Sequence, residues 1–346
     1  MSNQRRLPAE WEPQSYVQLT WPNADTDWGY ILDDTIACYT KIAHEIAKRQ
    51  LLLVVARDKN EVLPHIADID PSRYLIIELP INDTWARDHG FITVFDNGEP
   101  VLLDFQFNGW GLKFASDKDN LINRGLFAKA ALIKTKATYE NHLSTVLEGG
   151  SIESDGHETI MTTSECLLSP NRNGAHFRNE IEIMLKEAFG AERILWVDHG
   201  YLAGDDTDSH IDTLARMAPN NTILYVKCDD KNDEHYQQLC QMEYDLKKFV
   251  VAETGKPYNM VALPMCTPQF EPIDGHRLPA TYANFLFING AILVPVYNAP
   301  TDEEALAVFR KTFPGYEIVG IDCSPLIRQH GSLHCVTMQY PLRVKI

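Results

Sequence analysis

Gly331-Ser332-Leu333-His334-Cys335-Val336-Thr337 sets a cysteine in a short apolar run behind a glycine-containing approach. A cysteine thiolate is the best side-chain nucleophile near neutral pH, so the stretch marks a candidate reaction centre. By default, however, a free cysteine in such a run is a small core hydrophobe. Read as a strand, Leu333 to Met338 puts Cys335 on one face with Leu333 and Thr337. His334, Val336 and Met338 then share the other face. On that reading His334 is a poor direct base for Cys335, and the partner is expected to be a histidine distant in the chain.

Three upstream segments offer such partners. In His210-Ile211-Asp212 two polar groups stand two apart, so in extended backbone they face one side, and the turn-rich Gly204 to Ser209 brings His210 to a loop mouth. No second histidine stands at ligand spacing, so no metal is expected there. Glu148-Gly149-Gly150 follows a strand-like Leu147, where a strand end collects ligand-facing groups. Trp85-Ala86-Arg87-Asp88 sets an indole three residues from a carboxylate, and Asn108-Gly109-Trp110-Gly111 adds a second, exposed-looking tryptophan. Indoles and carboxylates together suit a planar cation. A thiol, a base and several carboxylates suit attack on a cationic carbon centre such as a guanidinium.

Composition narrows the partners. With 31 basic and 48 acidic residues the 346-residue chain carries a formal charge of −17. That opposes nucleic acid and anionic membranes and favours small cations. The seven cysteines form no C-x-x-C pair, and the opening Met-Ser-Asn-Gln-Arg-Arg-Leu-Pro has no apolar leader. A reducing, cytoplasmic setting is expected, without disulfides. Strand-like runs, among them Leu51 to Ala56, Arg193 to Val197, Thr222 to Lys227 and Ala291 to Val296, alternate with helical periodicity at Ile36 to Ala47 and Ile181 to Phe189. Interleaving of this kind implies α/β architecture in one compact domain over 1–346. No sequence repeat, G-x-G-x-x-G or P-loop is evident, which removes the main support for dehydrogenase and kinase readings.

Taken in order, Asp83 to Asp88, Asn108 to Gly111, Leu147 to Ser151, Asp206 to Asp212 and Gly331 to Thr337 resemble the agmatine deiminase family. This is also the bacterial-type peptidyl-arginine deiminase family, within the guanidine-modifying (pentein) superfamily. Thr20-Trp21-Pro22 and Tyr282-Ala283-Asn284-Phe285 are similar to it too, so the likeness spans nearly the whole chain. The resemblance implies a five-bladed, pseudo-fivefold α/β propeller with a central active site. It implies Cys335 as nucleophile, His210 as acid/base, Asp88 and Asp212 gripping the guanidinium, Glu148 orienting His210 and also binding the substrate cation, and Trp85 and Trp110 lining the pocket. The implied reaction converts agmatine to N-carbamoylputrescine and ammonia through a covalent amidino-cysteine, as in polyamine biosynthesis, with no cofactor. Peptidyl-arginine deiminase, dimethylarginine hydrolase-like activity and a catalytically silent polyamine-binding protein are the alternatives, and a homo-oligomer is compatible. The chain departs from the family pattern at His89, at Ser332 and at Asp208-Ser209, and none of these removes a catalytic group.

Overall fold

The computed structural model describes residues 5–129 and 137–344; residues 1–4, part of the stretch expected to carry no leader, lie outside them. The three-and-four spacing of Tyr39, Ile42, Ala43, Ile46 and Ala47 makes one buried face on the helix Leu32–Arg49. Asp33 and Asp34 in its first turn and Lys48 and Arg49 in its last complement the helix dipole. The buried face lies on the strands Gln14–Thr20 and Leu51–Ala56, which run parallel.

That strand–helix–strand unit recurs. Each of five separate sheets has a first strand antiparallel to a middle one, which pairs in parallel with a third. The sets are Ile92–Asp96, Glu99–Gln106 and Thr138–Val146; Ile152–Ser154, Thr159–Thr163 and Arg193–Val197; and Ala215–Ala218, Thr222–Lys227 and Asn259–Pro264. Leu286–Ile288, Ala291–Val296 and Glu317–Asp322 make another. The last joins the chain ends: Thr337–Pro341 pairs antiparallel with Gln14–Thr20, and Tyr74–Glu78 extends it beyond Leu51–Ala56. A helix connects middle to third strand in every unit: Leu32–Arg49, Ile122–Ala128, Arg178–Phe189, Tyr236–Leu246 and Asp302–Thr312. The expected α/β class is observed. Among the described residues no helix is long and apolar enough to cross a membrane, and all seven cysteines are free.

The recurrence explains why residues far apart in sequence meet. Asp88, Glu148, Asp212, Asn284 and Cys335 all precede the first strand of a unit by two to four residues, at Ile92, Ile152, Ala215, Leu286 and Thr337. Five equivalent turns therefore contribute one polar group each.

Candidate active site

The turn that carries Cys335 differs from the expected strand. Leu333 to Val336 form a turn and pairing begins only at Thr337. The hydroxyl of Thr337 donates to the carbonyls of Leu333 and His334, at 3.3 and 3.0 Å, and closes the turn locally. His334 and Cys335 consequently do not split onto opposite faces of a sheet. Both approach one carboxylate oxygen: His334 Nδ1 is 2.7 Å and Cys335 Sγ 4.0 Å from Asp212 Oδ2. Asn284 fixes the turn from the neighbouring unit. Its Oδ1 accepts the backbone N–H groups of His334 and Cys335, at 2.9 and 3.2 Å, and lies 3.3 Å from Sγ.

His210 and Asp212 likewise sit in a turn rather than in extended backbone, because Ile211–Thr213 is a 3-10 helix. They still converge, on Gly150. A Cβ there would lie 2.7 Å from His210 Nδ1, 2.9 Å from Asp88 Oδ1 and 3.0 Å from Asp212 Oδ2, so a glycine is the only residue this junction admits. Asp88 Oδ1 accepts the Gly150 N–H at 3.0 Å, and Oδ2 accepts Trp110 Nε1 at 2.9 Å. Trp110 is 7% exposed, correcting the surface position expected from its flanking glycines. Its backbone at φ 55° is unusual for so bulky a residue and is tied down by Asn108 Oδ1, which accepts the Gly111 N–H. Trp85 packs flat on Gly331, where a Cβ would lie 2.2 Å from the indole. Its Nε1 donates to Asp83 at 3.0 Å.

Glu148 departs from its expected part in detail. It is fully buried, but both its oxygens accept Arg172 Nε, at 3.0 and 2.9 Å, while His210 Nε2 stands 4.0 Å off. Arg172 in turn donates to Asp208 and to the Thr207 carbonyl, so it braces the loop that delivers His210. Glu148, Cys166 and His210 lie within 4.8 Å of one another, a spacing that a cation would accept. Arg172 already supplies the positive charge there, which disfavours a metal ion. Arg172, Cys166, Asn284 and two partners of His334, Glu10 and Arg216, escape the sequence reading. Only Asn284 left a signal, as part of the Tyr282 to Phe285 motif.

Electrostatics divide the cluster. Burial would depress His210, but Asp88, Cys166 and Glu148 outweigh it and hold it protonated up to about 10. Burial lifts Asp88 to about 6 despite His210, with Asp212 and Glu148 adding to the rise. Burial acts on Asp212 too, but the His334 hydrogen bond and charge, with His210 and Arg216, keep it below the usual carboxylate range. The Cys335 thiol is pushed well above its ordinary value by burial and by the charges of Asp212 and Asp88. The site thus holds a protonated acid, two carboxylates and an unionised thiol. Asp88 and Cys335 line a cavity with Trp85, Trp110 and Phe114 and with Asp27, Asp83 and Asp206.

Comparison with known proteins agrees with this arrangement. The family of Porphyromonas-type peptidyl-arginine deiminases matches residues 6–341. An agmatine deiminase of Pseudomonas putida is 31% identical over 98% of this chain and 96% of its own. An agmatine deiminase of C. jejuni, solved with substrate bound, superposes with a TM-score of 0.90 at 36% identity, covering 99% of this chain and 97% of the other. A candidate arginine deiminase of Porphyromonas gingivalis gives a TM-score of 0.92 at 48% identity over 99% and 100% of the two chains. With a family match over nearly its whole length, and a thiol, a buried histidine and two carboxylates gathered beside a tryptophan-walled cavity, the chain belongs to the Porphyromonas-type peptidyl-arginine deiminase family.

Proposed function

We propose that this protein hydrolyses agmatine to N-carbamoylputrescine and ammonia, with Cys335 as nucleophile and His210 as acid and base. The observation that carries the reading is the convergence of Asp88 and Asp212 at Gly150 beside the Cys335 thiol, with Asp88 and Cys335 lining a cavity whose other lining residues include three more aspartates. A guanidinium between the two aspartates presents its central carbon to sulfur. Its positive charge, set against the thiol, favours release of the thiol proton to solvent. Sulfur then bonds to the carbon and the C–N bond to one terminal nitrogen breaks, with His210 donating the proton that lets ammonia leave. His210, now neutral, takes a proton from water, whose oxygen attacks the amidino carbon. The C–S bond breaks, the proton of the added hydroxyl passes to solvent as the carbonyl forms, and the ureido product departs, after which the thiolate takes up a proton again.

The cavity lining supports an ammonium tail over an amino-acid end. Asp27, Asp83 and Asp206 line the same cavity as Asp88 and Cys335, so the α-carboxylate of arginine would meet like charge. We also read the five sheets as blades of a pseudo-fivefold propeller in one catalytic domain, with Glu148 acting on His210 through charge rather than a hydrogen bond. The test is an ammonia assay over agmatine, arginine, dimethylarginine and an arginyl peptide. Agmatine is expected to give the highest kcat/KM, by about 10²-fold or more over arginine if the like-charge cost is a few kcal/mol. Exclusive turnover of the peptide would refute the substrate assignment.

The thiol supplies a second expectation. Because burial and two aspartates oppose its ionisation, Cys335 should show no thiolate ultraviolet absorbance at neutral pH in the ligand-free protein, after subtraction of the Cys335→Ser spectrum. Absorbance should appear on adding an unreactive cationic amidine. A thiolate band already present without ligand would mean that the protein, not the substrate, activates sulfur.

A further inference from the structure

Neighbouring site residues point into different cavities. Asp88 and Cys335 line the tryptophan-walled cavity, whereas Arg87 and His334, one residue before each, line a second one with Glu10 and Glu153. Glu10 belongs to the segment before the first strand, more than two hundred residues from Asp212. Its Oε1 accepts the Phe287 N–H at 2.8 Å, which fixes the carboxylate. Its Oε2 lies 2.6 Å from His334 Nε2, and His334 Nδ1 lies 2.7 Å from Asp212 Oδ2. Each ring nitrogen therefore faces a carboxylate oxygen, and both bonds exist only if both nitrogens carry hydrogen. Arg216 Nη2 also stands 3.0 Å from Nε2, where two donors would oppose each other. The shorter contact decides: an acceptor–acceptor pair at 2.6 Å would be worse, and Arg216 has Glu10 Oε2 itself at 3.1 Å.

We propose that Glu10 and His334 are positioning residues for the deiminase reaction, a carboxylate–imidazolium relay that aims Asp212 and keeps it ionised from the side of the second cavity. The inference rests on the deiminase reading above. Every charged group facing His334 belongs to the scheme. Asp212 and Glu10 receive its protons. Arg216, anchored by Glu153 at 2.5 Å, and Arg87, 3.5 Å from Glu10, hold Glu10 in place. Asp212 has no other hydrogen-bonded side-chain donor on Oδ2 except the weak Cys335 contact, and its Oδ1 is buried without a partner. Oδ1 thus keeps its accepting capacity unused, while Oδ2 is engaged by His334.

The experiment is the pH profile of kcat/KM for wild type, Glu10→Gln, His334→Ala and His334→Asn. Without the His334 donor Asp212 no longer stays low, so His334→Ala should raise the acid limb and steepen it. Glu10→Gln should move the limb the same way by less, and should add no further shift in the His334→Ala background. His334→Asn, which keeps an N–H near the Nδ1 position, should restore the limb toward wild type. Activity that falls equally at all pH values, with the limb unmoved in Glu10→Gln and His334→Ala, would reduce both residues to structural roles and overturn the relay. An infrared titration of the Asp212 carboxyl, isolated by subtracting Asp212→Asn, reads the same shift without turnover. If wild type releases ammonia from no guanidine, the deiminase reading fails, and the infrared arm still decides whether His334 and Glu10 hold Asp212 ionised.

Discussion

Cys335→Ser should cut ammonia release from agmatine by about 10⁴-fold or more while leaving agmatine binding measurable. The substitution is nearly isosteric, and the turn that presents the residue is held by the backbone N–H groups of His334 and Cys335 on Asn284, which serine retains. What is lost is the chemistry. A hydroxyl needs a base at the moment of attack, and none stands ready: His210 is held protonated up to about 10 and serves as an acid, and Asp212 Oδ2 is 4.0 Å from sulfur and engaged by His334. A guanidinium can help a thiol ionise, because the thiol's intrinsic pKa lies within reach of one nearby charge; it cannot do so for an alcohol. Binding depends on Asp88, Asp212 and the indoles, which serine leaves untouched. Calorimetric titration with agmatine and a single-turnover ammonia assay measure the two halves separately. Activity within about tenfold of wild type would remove Cys335 from the reaction.

Much of this site is legible in the residues, and what is not has a common cause. Apolar strands such as Leu51–Ala56 and Ala291–Val296 match their expected bounds, because burial on both faces writes itself into local composition. The stretches that carry chemistry read less well. Leu333 to Val336 looks extended by composition, yet Thr337 side-chain bonding and Asn284 turn it, and Asn284 comes from another unit. The pairing of His334 with Glu10 depends on how segments from different units meet, and that of Glu148 with Arg172 on how one unit folds back on itself, information that no window of one strand or helix contains. The recurrence itself is a recurrence of backbone pairing, antiparallel then parallel, and not of residues, which is why no sequence period announces it. His334 shows the limit most clearly. Strand alternation argues that it is not the base for Cys335, whereas the structure sets His334 and Cys335 in a turn on the same carboxylate, with both ring nitrogens of His334 engaged by Asp212 and Glu10.

Asp88→Asn should raise the KM for agmatine by roughly 10²- to 10³-fold, the equivalent of about 3–4 kcal/mol for a buried cation deprived of one charged partner. Asp88 is the cleaner of the two aspartates to test, because Asp212 is bonded to His334 and its replacement would disturb that pair as well. Asn cannot fully mimic the carboxylate even in shape. Asp88 accepts the Gly150 N–H on one oxygen and Trp110 Nε1 on the other, so an amide must turn its NH₂ toward one of these donors. The loss falls on ground-state and transition-state binding alike, since both species are cationic, so KM should change more than kcat. The pH dependence gives an independent sign. Burial lifts Asp88 to about 6, so its carboxylate is present above that pH and is lost as pH falls through it. Wild-type kcat/KM, which reports ionisations of the free enzyme, should therefore decline on the acid side near 6, and agmatine binding below that point should release a proton. In Asp88→Asn the low, residual kcat/KM should stay flat through the same range, because the remaining aspartate is kept ionised by His334. An acid limb that persists unchanged in this variant would move the titration, and with it the cation grip, to a group other than Asp88.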